Sequence, residues 1–146
     1  MTERSSPVAP AQMIGDAEYR SLAGFRQHMR GFFAFSEQTI QAAGVAPAQY
    51  QAMLAIRAHG TKPSITISGL ADQLMIRVNS AVELVQRLQA ADMVCRMRST
   101  ADRRRIELSL TPKGSAVLAA LAALHVDEHR RRLPELIALM ETLLVA

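Results

Sequence analysis

Leu22, Phe25, Met29, Phe32, Ser36 and Ile40 fall at helical spacing, and Phe33 and Phe35 widen the stripe they make. This pattern predicts a long first helix, capped by Asp16, running to about Ala43 and ended by Gly44. Bulky apolar groups on more than one side predict burial against two neighbours, the helix's own domain and a partner subunit. Pro47 suits the first position of a second helix, with Tyr50, Met53, Leu54 and Ile56 to Arg57 on its buried side. After a turn over residues 60–64, Thr66 or Ser68 caps a short helix that turns Leu70, Ala71 and Leu74 inward. Another helix follows within a few residues, over 77–93, which is helix-turn-helix spacing.

That second helix divides cleanly. At ~100° per residue, Val78, Ala81, Val82, Leu84, Val85, Leu88 and Ala91 fall on one side, the predicted core face. Asn79, Glu83, Gln86, Arg87 and Ala90 fall opposite, with Ser80 at the edge. Short amides and hydroxyls near a helix start are groups that hydrogen-bond base edges in a major groove.

Downstream, Ile106, Leu108 and Leu110 alternate with Glu107 and Ser109, a half-buried strand. Residues 93–98 can pair with it, leaving residues 99–102 as the tip of a hairpin. A period of two places Arg104 on the face of Asp102, so these two are expected to pair and stiffen the tip. Arg103 and Arg105 then remain free for phosphates. Thr111 and Pro112 open a further helix with Val117, Leu118, Leu121, Leu124 and Leu133 along it. Pro134 is expected to interrupt it before a last helix bearing Leu136, Ile137, Leu139, Met140, Leu143 and Leu144. So much leucine at a chain end asks for a partner surface, most economically a second copy.

Composition sharpens this picture in one place. The chain has 146 residues, 49% of them apolar, enough for one domain with a real core. Residues 96–105 hold five of its seventeen basic residues and one of its thirteen acidic ones, a local charge of +4. Twelve basic and twelve acidic residues remain, so the rest is neutral. Positive charge gathered in one hairpin is the footprint of a phosphate-contacting element. Residues 1–15, rich in Ser, Pro and Ala, read as a mobile tail. The tail has no apolar run, and the segment from Ala116 to Leu124 is too short to span a bilayer. A cytoplasmic protein with no membrane partner is expected. The hairpin also lacks the aromatic wedge that surface binding to a bilayer needs.

Other candidate chemistry is weaker. His125 to His129 matches H-x-x-E-H, the inverted zinc-protease signature, with two histidines one turn apart. A catalytic site would need a third ligand and a cleft, so no enzyme and no cofactor is expected, and the default is a polar, solvated helix. A regulatory metal at His125 and His129 is the sharper alternative. Cys95 beside Arg96 could serve as a redox switch, but as a lone strand cysteine it reads as inert. Arg130 to Arg132, with Asp127, Glu128 and Glu135 nearby, reads as a solvated helix end.

The order of elements resembles the MarR family of bacterial transcription regulators. The resemblance rests on LADQL (70–74), NSAVELVQRL (79–88) and DRRRIELSLTPKG (102–114), and covers about residues 17–145. It implies a mainly α fold with a small β-wing: a winged helix-turn-helix lobe over about 47–111, and dimerisation helices over about 16–44 and 112–146. It implies a homodimeric repressor or activator on a pseudo-palindromic duplex-DNA operator, with Leu22, Phe25, Leu136, Leu139, Met140 and Leu143 at the dimer interface. The candidate DNA-contacting set is Arg77, Asn79, Ser80, Glu83, Gln86, Arg87, Arg98, Arg103, Arg104 and Arg105, braced by Asp102 and Arg104. A small phenolic or lipophilic effector is implied too, with Phe32, Phe33, Tyr50 and Met53 as candidate lining. Three positions depart from the family pattern. Asp92 stands where the turn after the second helix favours glycine, and Arg77 replaces the usual serine cap. Glu83 stands where a basic or neutral polar residue is common. It would be repelled by DNA unless it accepts from cytosine N4 or pairs with Arg87 one turn on, and the pair is expected. A winged-helix protein-interaction module without DNA binding is the alternative from another class.

Overall fold

The computed structural model describes residues 12–145; the tail expected over 1–15 falls, up to residue 11, outside them. The elements in order are α1 (Asp16–Ala42), α2 (Pro47–His59), α3 (Ile67–Leu74), α4 (Val78–Ala90), β1 (Val94–Arg98), β2 (Ile106–Leu110) and α5 (Pro112–Leu144). The fold is mainly α with a small antiparallel β-wing. Helices α2 to α4 and the hairpin form one lobe, and α1 packs along α5.

Local chemistry accounts for most boundaries. Gly15, not Asp16, is the cap of α1, and its N–H donates to the Glu18 carboxylate at 2.8 Å. Asp16 instead supplies negative charge to the first turn. Pro47 occupies the first turn of α2 as expected, and Gln49 Oε1 accepts from the Ala46 N–H at 3.0 Å. Thr66 is the α3 cap, accepting from the Gly69 N–H at 3.1 Å. Asp92 adopts φ 57°, the left-handed conformation its place after α4 calls for.

The lobe closes on apolar side chains from every element. Tyr50, Ala52, Met53 and Ile56 of α2 meet Leu70 and Ala71 of α3, Leu84, Val85 and Leu88 of α4, and Leu108 of β2. Leu54 and Arg57, expected on the buried side of α2, are exposed. In the hairpin Arg96 lies opposite Leu108 and Arg98 opposite Ile106. A third segment borders β2, where the Leu108 N–H donates to the Ile65 carbonyl at 2.8 Å.

Helix α5 is the main departure from expectation. Pro134 does not divide it: one helix runs from Pro112 to Leu144. Proline removes a single hydrogen bond, and here it stands at an exposed position where water can serve the freed carbonyl. Packing on α1 holds the rest in line. Gly24 lets α1 approach so closely that a Cβ there would lie 2.6 Å from Leu139 Cδ1.

Within that pair of helices, His125 and Glu128 of the expected solvated stretch are buried. His125 Nδ1 lies 2.7 Å from the Leu121 carbonyl, and Nε2 lies 2.8 Å from the Ser36 hydroxyl. A carbonyl only accepts, so Nδ1 carries a proton and donates it to Leu121. Tyr50 stacks on His125 with centroids 4.6 Å apart, and Phe32 stacks on His129 at 4.4 Å. Glu128, 3% exposed, is paired by both Arg131 and Arg132. Arg131 and Arg132 are therefore tied to a buried carboxylate in mid-helix, while Arg130 is exposed.

Candidate nucleic-acid interface

The candidate interface is built from α4 and the wing. Helix α3 ends on Met75 at φ 56°, and the N–H groups of Met75 and Ile76 return to Asp72 and Ala71. Three residues later α4 begins, with Arg77 in the cap position and no side-chain hydrogen bond across the helix start. That leaves the Arg77 guanidinium exposed and uncommitted. Asn79, Ser80, Glu83, Gln86, Arg87 and Ala90 are all exposed, on one side of a helix whose other side is core. Glu83 and Arg87 do not form the expected ion pair. Among the described residues the only ion pairs join Arg105 to Glu107, and Arg131 and Arg132 to Glu128. Val78, assigned by its period to the core face, is exposed as well.

The wing tip is held by its own backbone. The Ser99 hydroxyl accepts from the N–H groups of Ala101 and Asp102, both at 3.2 Å. The Ser99 N–H donates to the Arg105 carbonyl at 2.8 Å, and Arg98 Nη1 donates to the Arg103 carbonyl at 2.8 Å. Asp102 braces Arg104 through the main chain: its carboxylate accepts the Arg104 N–H at 3.0 Å. No Asp102–Arg104 side-chain pair forms, because residues 99–105 turn and the strand period does not hold through them.

Arg105 is likewise not free. Its Nη2 donates to the Ser64 carbonyl at 3.2 Å, and its Nε lies 3.4 Å from the Glu107 carboxylate. Arg105 thus anchors the wing to the loop before α3, while the exposed Arg103 and Arg104 have no side-chain partner among the described residues. A cleft of about 410 Å³ between wing and α3 is lined by Thr66, Ser68, Asp102, Arg104 and Arg105. The Ser99 turn had a legible signal, a serine two and three residues before two N–H groups at a tip. The Ser64 anchor had none.

The junction behind the wing fixes its orientation. Thr111 caps α5, its hydroxyl accepting from the Gly114 N–H at 3.0 Å and donating to the Asp92 carbonyl at 2.6 Å. A Cβ on Gly114 would overlap the Met93 carbonyl, so only glycine allows this approach. Strand, turn and helix meet here within one LTPKG segment.

The sequence profile of the MarR family matches residues 43–105, the span from the end of α1 to the wing tip. Over this segment the chain is similar to the MarR family. The transcriptional repressor MdtR of Bacillus subtilis is 30% identical over 77 residues, which are 53% of this chain and 48% of that protein. The match thus spans about half the length of that curated relative. The MarR-type fold extends further. AbsC, a MarR family regulator from Streptomyces coelicolor, superposes with TM-score 0.69 at 21% identity, covering 86% of this chain and 84% of its own. MepR, a transcription regulator of the Staphylococcus aureus multidrug efflux pump MepA, gives TM-score 0.69 at 17% identity over 80% and 83% of the two chains. A mutant MepR bound to an oligodeoxyribonucleotide gives 0.64 at 20% identity over 80% and 82%.

Among the described residues no group of three or more His, Cys, Asp or Glu side chains could hold a metal ion. Cys95 Sγ lies 2.9 Å from the Ser109 hydroxyl on the wing. Tyr50 and Met53 are closed core positions, Phe32 is half-buried, and Phe33 is exposed. Leu136, Leu139, Met140 and Leu143 are half-buried within the single chain, whereas Leu22 and Phe25 are exposed. Among the described residues no helix is long and apolar enough to cross a membrane.

Proposed function

We propose that this protein is a sequence-specific regulator of transcription that binds duplex DNA as a homodimer on a pseudo-palindromic operator. One observation carries the reading: an amide- and hydroxyl-bearing helix face stands on the same lobe as a rigid, arginine-rich wing. Asn79, Ser80 and Gln86 read base edges, and Arg77 and Arg87 hold the backbone. Arg103 and Arg104 reach phosphates or the minor groove, with Arg98 and Arg105 bracing them. Glu83 accepts from a cytosine amine, since no arginine neutralises it. The exposed Leu22, Phe25, Phe33, Ile137 and Leu144 support pairing through α1 and α5. The reading has no catalytic step, and a chromosomal partner puts the protein in the cytoplasm.

An effector fits a groove of about 390 Å³ between α2 and α5, lined by Leu54, Arg57, Leu110, Ser115, Leu118 and Ala122. That size is within the range of small-molecule sites. Its walls are apolar with one cation, which suits a lipophilic acid or phenolate. It lies away from Tyr50 and Met53, whose side chains are already packed.

Fluorescence anisotropy on labelled genomic duplexes across a salt series tests the DNA reading. Affinity should fall steeply with salt, with a log–log slope of ~0.9 per phosphate contacted. Replacing Arg103 and Arg104 with alanine should lower that slope by about two and weaken all sequences alike. Asn79→Ala should instead relax preference, at ~1–3 kcal/mol per lost base contact. Binding that ignores salt, or a monomer at micromolar concentration by analytical ultracentrifugation, overturns it.

A further inference from the structure

The amphipathic division of α4 has one exception. Its apolar residues from Ala81 to Leu88 are buried or half-buried, but Val78, in the first turn, is 49% exposed. Just before it Met75 is 92% exposed and Ile76 38%. None of the three belongs to the apolar core of the lobe. Stability therefore gives no reason for a valine here, and valine is also a poorer helix former than alanine.

The surroundings say what such a side chain meets. Arg77 precedes it, Asn79 and Ser80 follow it, and all three are exposed. The wing adds the unpartnered guanidiniums of Arg103 and Arg104 on the same lobe. An apolar group flanked in sequence by a cation, an amide and a hydroxyl fits an anionic partner with an apolar feature inside a polar groove. Duplex DNA has one such feature in its major groove, the C5-methyl of thymine. The first residues of a recognition helix are the ones that reach base edges. A β-branched side chain in a helix holds essentially one rotamer, so its methyl groups meet the base without further ordering. The neighbouring Asn79 is the amide suited to adenine N6 and N7.

We propose that Val78 is a specificity-determining residue that reads a thymine 5-methyl group in each half-site. This rests on the DNA reading above and deepens it: the operator should carry a thymine beside the adenine that Asn79 reads.

The test uses a duplex recovered by the full-length protein from a randomised DNA pool. Each thymine is then replaced singly by deoxyuridine, which removes only the methyl group. One thymine per half-site should be sensitive, with binding weakened about fourfold, the value of one buried methyl-sized group. Val78→Ala should bind the thymine and uracil duplexes equally, with an unchanged salt slope. Val78→Thr, which keeps one γ-methyl, should retain part of the discrimination. The assignment is overturned if no thymine is methyl-sensitive, or if Val78→Ala still discriminates; in both cases duplex binding itself survives. Recovery of no preferred duplex removes the DNA reading and this contact together.

Discussion

The Thr111 hydroxyl donates to the Asp92 carbonyl at 2.6 Å across nineteen residues of sequence, and so ties the start of α5 to the turn that ends α4. The same oxygen accepts the Gly114 N–H at 3.0 Å, so one side chain caps α5 and locks the wing's base. Lys113 Nζ adds a bond to the Ala91 carbonyl at 3.0 Å. Thr111→Val keeps the shape and loses both hydroxyl bonds. We expect a loss of about 1–2 kcal/mol in urea unfolding, with Thr111→Ser close to wild type. Equal stability of the valine variant would show that the hydroxyl is dispensable.

Much of this was legible beforehand, because it depends on neighbours in sequence. The helix starts at Pro47, Thr66 and Thr111, the polar face of α4 and the wing strands all follow from local spacing and capping. What could not be read depends on distant partners. His125 looks like a solvated histidine until Ser36, 89 positions away, is found at its ring. Pro134 looks like a break until Gly24 brings α1 against the helix that contains it. Arg104 and Arg105 exchange roles because a turn, with its own hydrogen bonds, replaces the alternation assumed for a strand.

Burial raises the Tyr50 phenol above its ordinary value near 10, since the ring lies in the core against His125. A raised folded value means that the folded state holds this proton more tightly than the unfolded chain. Its contribution is whole below pH 10 and is lost as pH climbs through the folded value. Tyr50→Phe has no such proton. The two proteins should unfold alike near pH 7, within about 1 kcal/mol, and diverge above pH 10 with wild type the weaker. Parallel denaturant midpoints from pH 7 to 11 would refute this cause.

Glu128 is held from two sides by unequal partners. The Arg131 side chain is 72% exposed and that of Arg132 is 34%, against 3% for the carboxylate. An exposed partner adds little, ~0–1 kcal/mol. Losing the more sheltered one strips a buried charge of its compensation, which costs several kcal/mol where burial is complete. Arg132 also covers Gly31 of α1, so its loss opens a gap between the helices. Arg132→Met should therefore lower the thermal midpoint clearly more than Arg131→Met, and a reversed order would contradict the pairing described.

Arg104 and Arg105 are adjacent, identical in charge, and placed for opposite tasks. Arg105 donates to the Ser64 carbonyl and faces Glu107, while Arg104 uses only its main-chain N–H, toward Asp102. Removing the Arg105 side chain frees the wing from the loop that precedes α3. At a partly exposed site that loss should be modest, about 1 kcal/mol, and hydrogen exchange at Arg98 to Ile106 should quicken. Removing the Arg104 side chain breaks nothing in the fold, so stability and exchange should stay as they are. Duplex affinity at low salt should fall in that variant, with the salt slope reduced by about one. The decisive measurement is the pair taken together, exchange and salt slope on both alanine variants. If Arg104→Ala loosens the wing while Arg105→Ala leaves exchange untouched, the assignment of anchor and phosphate contact must be exchanged.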